Sequence, residues 1–88
     1  MREECTRALK HFGLEHQVQK AIEEMAELIT VLARGVPLEH YAVCEEIADV
    51  MIMMQQLRFL AGEVFVDHCV ELKLSKLRSL LPNESGAV

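Results

Sequence analysis

The sequence has few of the residues on which disulfide-stabilised, membrane-spanning or zinc-binding proteins depend. Its three cysteines (Cys5, Cys44 and Cys69) are odd in number, widely spaced and form no CxxC pair. We therefore expect free thiols in a reducing compartment, not a disulfide framework. The longest apolar run is about eight residues, far short of the roughly 20 that cross a bilayer, so we expect no membrane partner. The four histidines share no helical spacing, and the sequence therefore predicts no zinc site.

Positive charge is also sparse. The nine Lys and Arg residues are scattered along the chain against 14 Asp and Glu residues, which gives a net charge of −5. Because no basic patch stands out, we expect no nucleic-acid partner. The N-terminal segment 1–4 carries charged side chains and leads into no apolar stretch, so we expect no signal peptide. These features together predict a cytoplasmic protein.

Apolar side chains, in contrast, are abundant. Hydrophobic residues make up 51% of the 88 residues, although aromatic residues account for only 5% and tryptophan is absent. A chain of this length buries only roughly 60–65% of its unfolded surface as a monomer. The sequence therefore carries more apolar surface than a lone small bundle can cover, and we expect a homodimer or a homotetramer.

The expected fold is all-α. Apolar residues recur with a helical period in four segments, which predicts helices over 3–12, 14–34, 38–61 and 63–81. Glycines separate these segments, and no segment has the alternation of a strand. We expect residues 1–81 to form one domain, an antiparallel bundle of about four helices assembled as a homo-oligomer, with a flexible tail at 82–88.

Two pairs of acidic residues stand out on the two long helices. Glu24 and Glu27 are three residues apart on the second helix, and Glu46 and Asp49 are three apart on the third. Residues at this spacing share one side of a helix, with about 5–6 Å between their β-carbons. If the helices pack antiparallel, four carboxylates face one another, which is unfavourable unless a cation neutralises them. An all-oxygen cluster suits a hard ion such as Mg²⁺ or Mn²⁺.

Asp49 is the hardest of the four acids to explain as ordinary surface. It interrupts the otherwise apolar run 47–54, where a charge is costly unless it is paired or bound to metal. The alternative is a solvated helix face, because glutamates are common there and either acidic pair alone is a weak signal. The combination of two pairs, each beside an apolar stripe, favours a metal site.

The spacing of these acids resembles a known family. Glu23-Glu24-x-x-Glu27, followed after 18 residues by Glu46-x-x-Asp49, is similar to the EExxE…ExxD signature of the MazG-like family of all-α nucleoside triphosphate pyrophosphohydrolases. The resemblance implies Mg²⁺-dependent hydrolysis of a (deoxy)nucleoside triphosphate to the monophosphate and pyrophosphate. It also implies that Glu24, Glu27, Glu46 and Asp49 are the metal ligands. Glu23 would orient or deprotonate the attacking water.

The resemblance extends over about residues 12–80 and includes candidate substrate-binding residues. Gln17-x-x-Lys20 is similar to the lead-in to the family's first motif, and both residues would lie near the nucleotide. Lys73, Lys76 and Arg78 resemble the basic stretch that follows the metal site in this family. The two lysines, and with them Arg78, would hold phosphate oxygens.

The sequence departs from the family pattern in the last helix. Members often carry an asparagine two residues before the helix's lysine, and Glu71 occupies that place here. An ionised acid cannot donate a hydrogen bond to a phosphate. The final helix is also short, and the insert with which many relatives enclose the base has no counterpart.

Two other functions remain open. A phosphoribosyl-ATP pyrophosphatase uses a similar helical scaffold, and the length of this chain permits it. A non-catalytic helical oligomer that has kept the scaffold as an interaction module is favoured by Glu71 and by the short last helix. Mg²⁺-dependent turnover of a nucleotide would separate the enzymes from the interaction module.

Overall fold

The computed structural model describes residues 1–82 of the chain and places them in four α-helices, with no strand in that range. The helices are α1 (Arg2–Phe12), α2 (Leu14–Ala33), α3 (Tyr41–Ala61) and α4 (Glu63–Leu80). The all-α prediction is confirmed. Apart from Pro82, the tail predicted at 82–88 lies outside the described residues.

The third helix begins three residues later than the sequence suggested. The amide of His40 donates to the carbonyl of Pro37 at 2.9 Å, so a turn occupies the residues before α3. The His40 side chain then accepts a hydrogen bond from the amide of Ala42 at 3.1 Å and caps the N-terminus of α3. A histidine ring in the N-cap role is not among the usual capping residues, which explains why the pattern misplaced this boundary.

Helices α2 and α3 pack antiparallel and form the centre of the structure. Gln17 contacts Gln56, and seven residues further along α2, Glu24 contacts Asp49, which lies seven residues back along α3. The fully or nearly fully buried apolar residues are few: Cys5, Ala21, Val43 and Met53. The thiol of Cys5 on α1 donates to the carbonyl of Ile52 at 3.7 Å and holds α1 against α3.

Helix α4 extends away from this centre. In the described part of the chain it packs against α3, its one contact with α1 is an ion pair between Glu63 and Arg2, and none of its residues is buried. The turn into α4 is made by Gly62, whose φ of 111° is a conformation that side-chain-bearing residues rarely adopt. The radius of gyration, 16.4 Å, exceeds the roughly 12 Å typical of a compact chain of this length.

The antiparallel packing expected of a bundle is therefore present between α2 and α3, while the fourth helix leaves its apolar side uncovered. A complete four-helix bundle and a homo-oligomer both stay predictions. Of the described helices, none combines the length and the apolar character needed to cross a membrane.

Candidate metal centre

Three of the four predicted acidic ligands meet between α2 and α3. Glu24, Glu46 and Asp49 each offer a carboxylate oxygen, and these three oxygens lie within 4.8 Å of one another. Glu24 is buried, Glu46 is half-buried and Asp49 is exposed. The antiparallel register explains the meeting, because it places the inward side of α2 opposite the same turns of α3.

Two oxygens of this cluster lack a hydrogen-bond partner. Oε2 of Glu24 and Oε2 of Glu46 are buried and accept from no donor among the described residues. Glu24 as a whole is only 7% exposed. A buried carboxylate oxygen without a donor costs free energy comparable to or larger than a lost hydrogen bond, and more when it is charged. An ion that coordinates both oxygens would remove this cost.

The spacing and chemistry of the oxygens fit a hard divalent cation. Oxygens on opposite sides of Mg²⁺ are about 4.2 Å apart, twice its bond length of about 2.1 Å. The 4.8 Å span of the three oxygens is therefore about half an ångström wider than a closed Mg²⁺ site. Larger hard cations form longer bonds to oxygen and therefore match this spacing more closely.

The electrostatics of the cluster also favour bound positive charge. Burial raises the pKa of Glu46, and the neighbouring charges of Glu27, Asp49 and Glu24 raise it further. Although Asp49 as a residue is exposed, partial loss of water around its carboxylate raises its pKa, and the charge of Glu24 raises it further. The ionised carboxylates therefore repel one another. Binding of protons or of a cation neutralises this repulsion and stabilises the cluster.

Lys20 is the positive side chain closest to the cluster. Its Nζ lies 3.2 Å from Oε1 of Glu24 and 3.7 Å from Oε2 of Glu23. The hydrogen bond to Glu24 and its charge raise the pKa of Lys20, and Lys20 in turn partly offsets the rise at Asp49. The predicted nucleotide-binding lysine thus contacts two of the predicted catalytic acids.

The remaining predicted acids lie at the edge of the cluster. Glu27 is exposed and shares a hydrogen bond with Glu46, but it is not one of the three acids whose oxygens converge. Glu23 is exposed and contacts Lys20 instead of the other acids. The structure thus gives a tight group of three carboxylates, with Glu27 adjoining it and Glu23 outside it.

Gln17, which was predicted to lie near the nucleotide, is buried between α2 and α3. It is 4% exposed, its Nε2 donates to Oε1 of Gln56 at 2.7 Å, and its own Oε1 lies 2.7 Å from Nδ1 of His16. The partner, Gln56, is 3% exposed and was not identified from the sequence. A signal was available, because Gln17 and Gln56 continue the Glu24–Asp49 register by seven residues on each helix.

The basic residues of α4 do not contact the acidic cluster. Neither Lys73 nor Lys76 forms an ion pair with any residue in the range 1–82, and Arg78 reaches only Glu71 at 4.0 Å. All three side chains are exposed. A role in phosphate binding stays a prediction for these residues, because one chain does not bring them to the cluster by direct contact.

The cavities of the single chain are small near the cluster. A pocket of about 80 Å³ adjoins it, lined by His16, Gln19, Lys20 and Glu23. This is well below the roughly 300–1,000 Å³ typical of pockets that enclose a small molecule. A larger cavity of about 610 Å³ runs along α1 and contains none of the acids of the cluster.

Comparison with known proteins adds no family assignment. A scan against protein-family models, a search of curated proteins and a search of solved structures each gave no match. The resemblance to the MazG-like signature therefore depends on the motif residues alone.

Proposed function

We propose that this protein hydrolyses a (deoxy)nucleoside triphosphate to the monophosphate and pyrophosphate with the help of Mg²⁺ or Mn²⁺. The observation that carries the proposal is the convergence of three carboxylates from two antiparallel helices, with two buried oxygens that have no donor. An ordinary solvated helix face does not bury acceptors in this way.

The residues around the cluster suit such a reaction. Glu24, Glu46 and Asp49, joined by Glu27, would hold the ion. When bound, the ion would supply positive charge for the phosphate oxygens and lower the pKa of a water molecule. Glu23 lies beside the cluster with an exposed carboxylate that can accept a proton from the water attacking the α-phosphorus. Pyrophosphate then leaves with the electron pair of the broken P–O bond.

Lys20 would change partners during binding. Its ammonium group pairs with Glu24 while no other cation is near, because it is the closest countercharge. Once Glu24 held a divalent cation, Lys20 would be attracted less strongly to that carboxylate and could donate to a phosphate oxygen of the substrate. Lys73 and Lys76 are further candidates for phosphate contacts, and their role depends on where α4 lies in the assembled protein.

The proposal includes a cytoplasmic homo-oligomer. Many large apolar side chains are exposed in the single chain, and the small pocket beside the cluster cannot enclose a nucleotide. A second copy of the chain would bury part of the exposed apolar surface. It could also help to enclose the nucleotide beside the cluster.

The proposal is tested by pyrophosphate release from a panel of NTPs, dNTPs and phosphoribosyl-ATP, with Mg²⁺ and with a chelator. Glu24→Gln and Asp49→Asn should each lower kcat/KM at least about 100-fold, since altered metal surroundings alone cost 10–100-fold. Glu39→Gln, which changes an exposed acid in the loop before α3, is the matched control and should leave the rate unchanged.

A non-catalytic helical oligomer is the second candidate, favoured by Glu71 on α4 and by the lack of an enclosing pocket at the cluster. It predicts that Mg²⁺ raises the Tm without turnover of any nucleotide in the panel. Activity that survives both Glu24→Gln and Asp49→Asn would contradict the proposed site in either version of the enzyme.

A further inference from the structure

Helix α4 carries a narrow apolar stripe that no part of the described chain covers. Val70, Leu74, Leu77 and Leu81 are 39–58% exposed. Their spacing of four, three and four residues is that of the a and d positions of a coiled-coil seam. Such a spacing places Val70, Leu74 and Leu77 along one line of α4, and Leu81 directly follows the last residue of the helix at the end of that line. A second helix can pack along it.

The direction of α4 is fixed at its base. The guanidinium of Arg58 on α3 binds both carboxylate oxygens of Asp67, at 2.6 and 2.7 Å, and lies 3.5 Å from Glu63. Arg2 on α1 binds both oxygens of Glu63 at 2.8 Å. These contacts join α4 to two other helices within its first five residues and hold the stripe away from the α2–α3 pair.

An apolar groove continues the stripe toward the base of α4. It has a volume of about 510 Å³ and includes Met51, Met54 and Leu57 of α3 together with Val66 of α4. Val66 is one turn before Val70, so the groove and the stripe form one apolar surface. Exposed apolar surfaces of this extent mark interaction sites.

We propose that a second copy of this chain covers the stripe, with the two α4 helices antiparallel about a two-fold axis that passes between Leu74 and Leu77. In this register Leu74 packs on Leu77 of the second copy, and Val70 packs on Leu81 of the second copy. By symmetry the same contacts form twice. All four residues of the stripe then have apolar partners.

The charges beside the stripe select this register. Glu71 and Arg78 flank one side of the seam at equivalent positions, seven residues apart, and their charged groups are 4.0 Å apart within one chain, the longest ion-pair distance among the described residues. The antiparallel register brings Glu71 next to Arg78 of the second copy, and Arg78 next to Glu71 of the second copy. Sliding the helices by one heptad would instead bring the two Glu71 side chains together and leave part of the stripe uncovered. Opposite charges beside a seam set partner choice and orientation in helix pairs.

The association should be visible by sedimentation equilibrium over a range of protein concentrations, with circular dichroism to confirm folding. The wild-type chain should be a dimer or a multiple of one. Leu77→Glu should raise the dissociation constant at least about 100-fold, because it places two charges in the centre of the seam. Leu72→Glu is the matched control, since Leu72 is 58% exposed on the opposite side of the same helix, and it should leave association unchanged.

A charge exchange tests the register without touching an apolar residue. Glu71→Arg and Arg78→Glu should each weaken association about 3- to 10-fold, because each replaces attraction by repulsion at two symmetric sites. The double variant Glu71→Arg/Arg78→Glu should restore the wild-type constant. Its failure to do so, with Leu77→Glu still disruptive, would overturn the antiparallel register.

Three results would overturn the whole inference: a wild-type chain that is monomeric at every concentration, a dimer that is indifferent to Leu77→Glu, or equal loss of association in Leu72→Glu. The measurement needs no substrate. Its result therefore does not depend on whether the protein hydrolyses nucleotides.

Discussion

The α2–α3 pair and helix α4 are built from similar amphipathic sequence but use it differently. The pair buries polar groups inside the chain: Gln17 and Gln56 bond to each other, and Glu24 is buried with one unpartnered oxygen. Helix α4 buries nothing, and its apolar stripe faces outward. The buried polar groups of the α2–α3 pair are therefore the basis of the proposed metal site, and the uncovered apolar groups of α4 are the basis of the proposed contact with a second copy.

We expect substitutions of the buried residues in the α2–α3 pair to lower the free energy of unfolding far more than substitutions in α4. Gln56→Ala removes the acceptor of the Gln17 amide and leaves that buried donor unsatisfied, so we expect a loss of about 1–3 kcal/mol in the free energy of unfolding. Leu72→Ala on α4 changes an exposed side chain away from the stripe and should cost less than about 0.5 kcal/mol. Urea denaturation of both variants measures the difference.

The double variant Gln17→Leu/Gln56→Leu refines this prediction. Replacing both amides by apolar groups of similar size removes the unsatisfied donor, so the double variant should be more stable than Gln56→Ala. A Gln56→Ala variant as stable as the wild type would show that the buried amide pair contributes nothing to the register of α2 and α3.

The pH dependence of the metal-free protein should come from the acids of the pair. Because the folded structure raises the pKa of Asp49, its protonated form is favoured by folding. That stabilisation is fully present below the ordinary aspartate pKa of about 4 and is lost as the pH rises through the folded pKa. In the presence of a chelator, Asp49→Asn should therefore raise the Tm at pH 7 and have little effect near pH 3.

The informative quantity is the difference in Tm between Asp49→Asn and the wild type at each pH. Glu63 and Asp67 at the base of α4 have lowered pKa values, so their contribution to stability increases with pH in both proteins and cancels in this difference. Thermal scans from pH 3 to pH 8 measure it. A wild-type Tm above that of Asp49→Asn at pH 7 without metal would contradict the mutual repulsion of the cluster.

The smallest expected effect is at the base of α4. Asp67→Asn removes one carboxylate from Arg58, but the Asp67 side chain is 55% exposed and Arg58 keeps its contact with Glu63, so the Tm should fall only slightly. The fall should be greater at pH 7 than at pH 3, because the ion pair lowers the pKa of Asp67 and its contribution is lost as the acid is protonated. Equal losses at both pH values would show that packing, not charge, connects Asp67 to α3.

Much of this structure follows from the sequence. The 3.6-residue period gave all four helices, and the i,i+3 spacing of Glu46 and Asp49 brought both carboxylates to the same cluster as Glu24. The start of α3 could not be predicted from the sequence, because the side chain of His40, an unusual capping residue, forms the N-cap. The burial of Gln17 was missed as well, because its partner lies 39 residues away and is found only when the register of Glu24 and Asp49 is extended by seven residues on each helix.

The position of α4 could not be predicted from the sequence for a different reason. Its apolar period predicts a helix with one buried side but does not say whether the covering surface belongs to the same chain. The resemblance implied that Lys73 and Lys76 hold phosphate oxygens, and that stays a prediction, because both side chains are exposed in the single chain. Only the packing of α4 against α3 alone reveals that this surface is open.

The most direct test of the acidic cluster as a metal centre is the shift in Tm on adding Mg²⁺ or Mn²⁺ to chelator-treated protein, compared with Glu24→Gln. Binding to the folded state alone should stabilise the wild type by about 2.7 kcal/mol when the ion is present at 100 times its dissociation constant. The shift should vanish in Glu24→Gln and persist in Glu39→Gln. A wild-type Tm that neither ion changes, or an equal shift in Glu24→Gln, would contradict the metal centre.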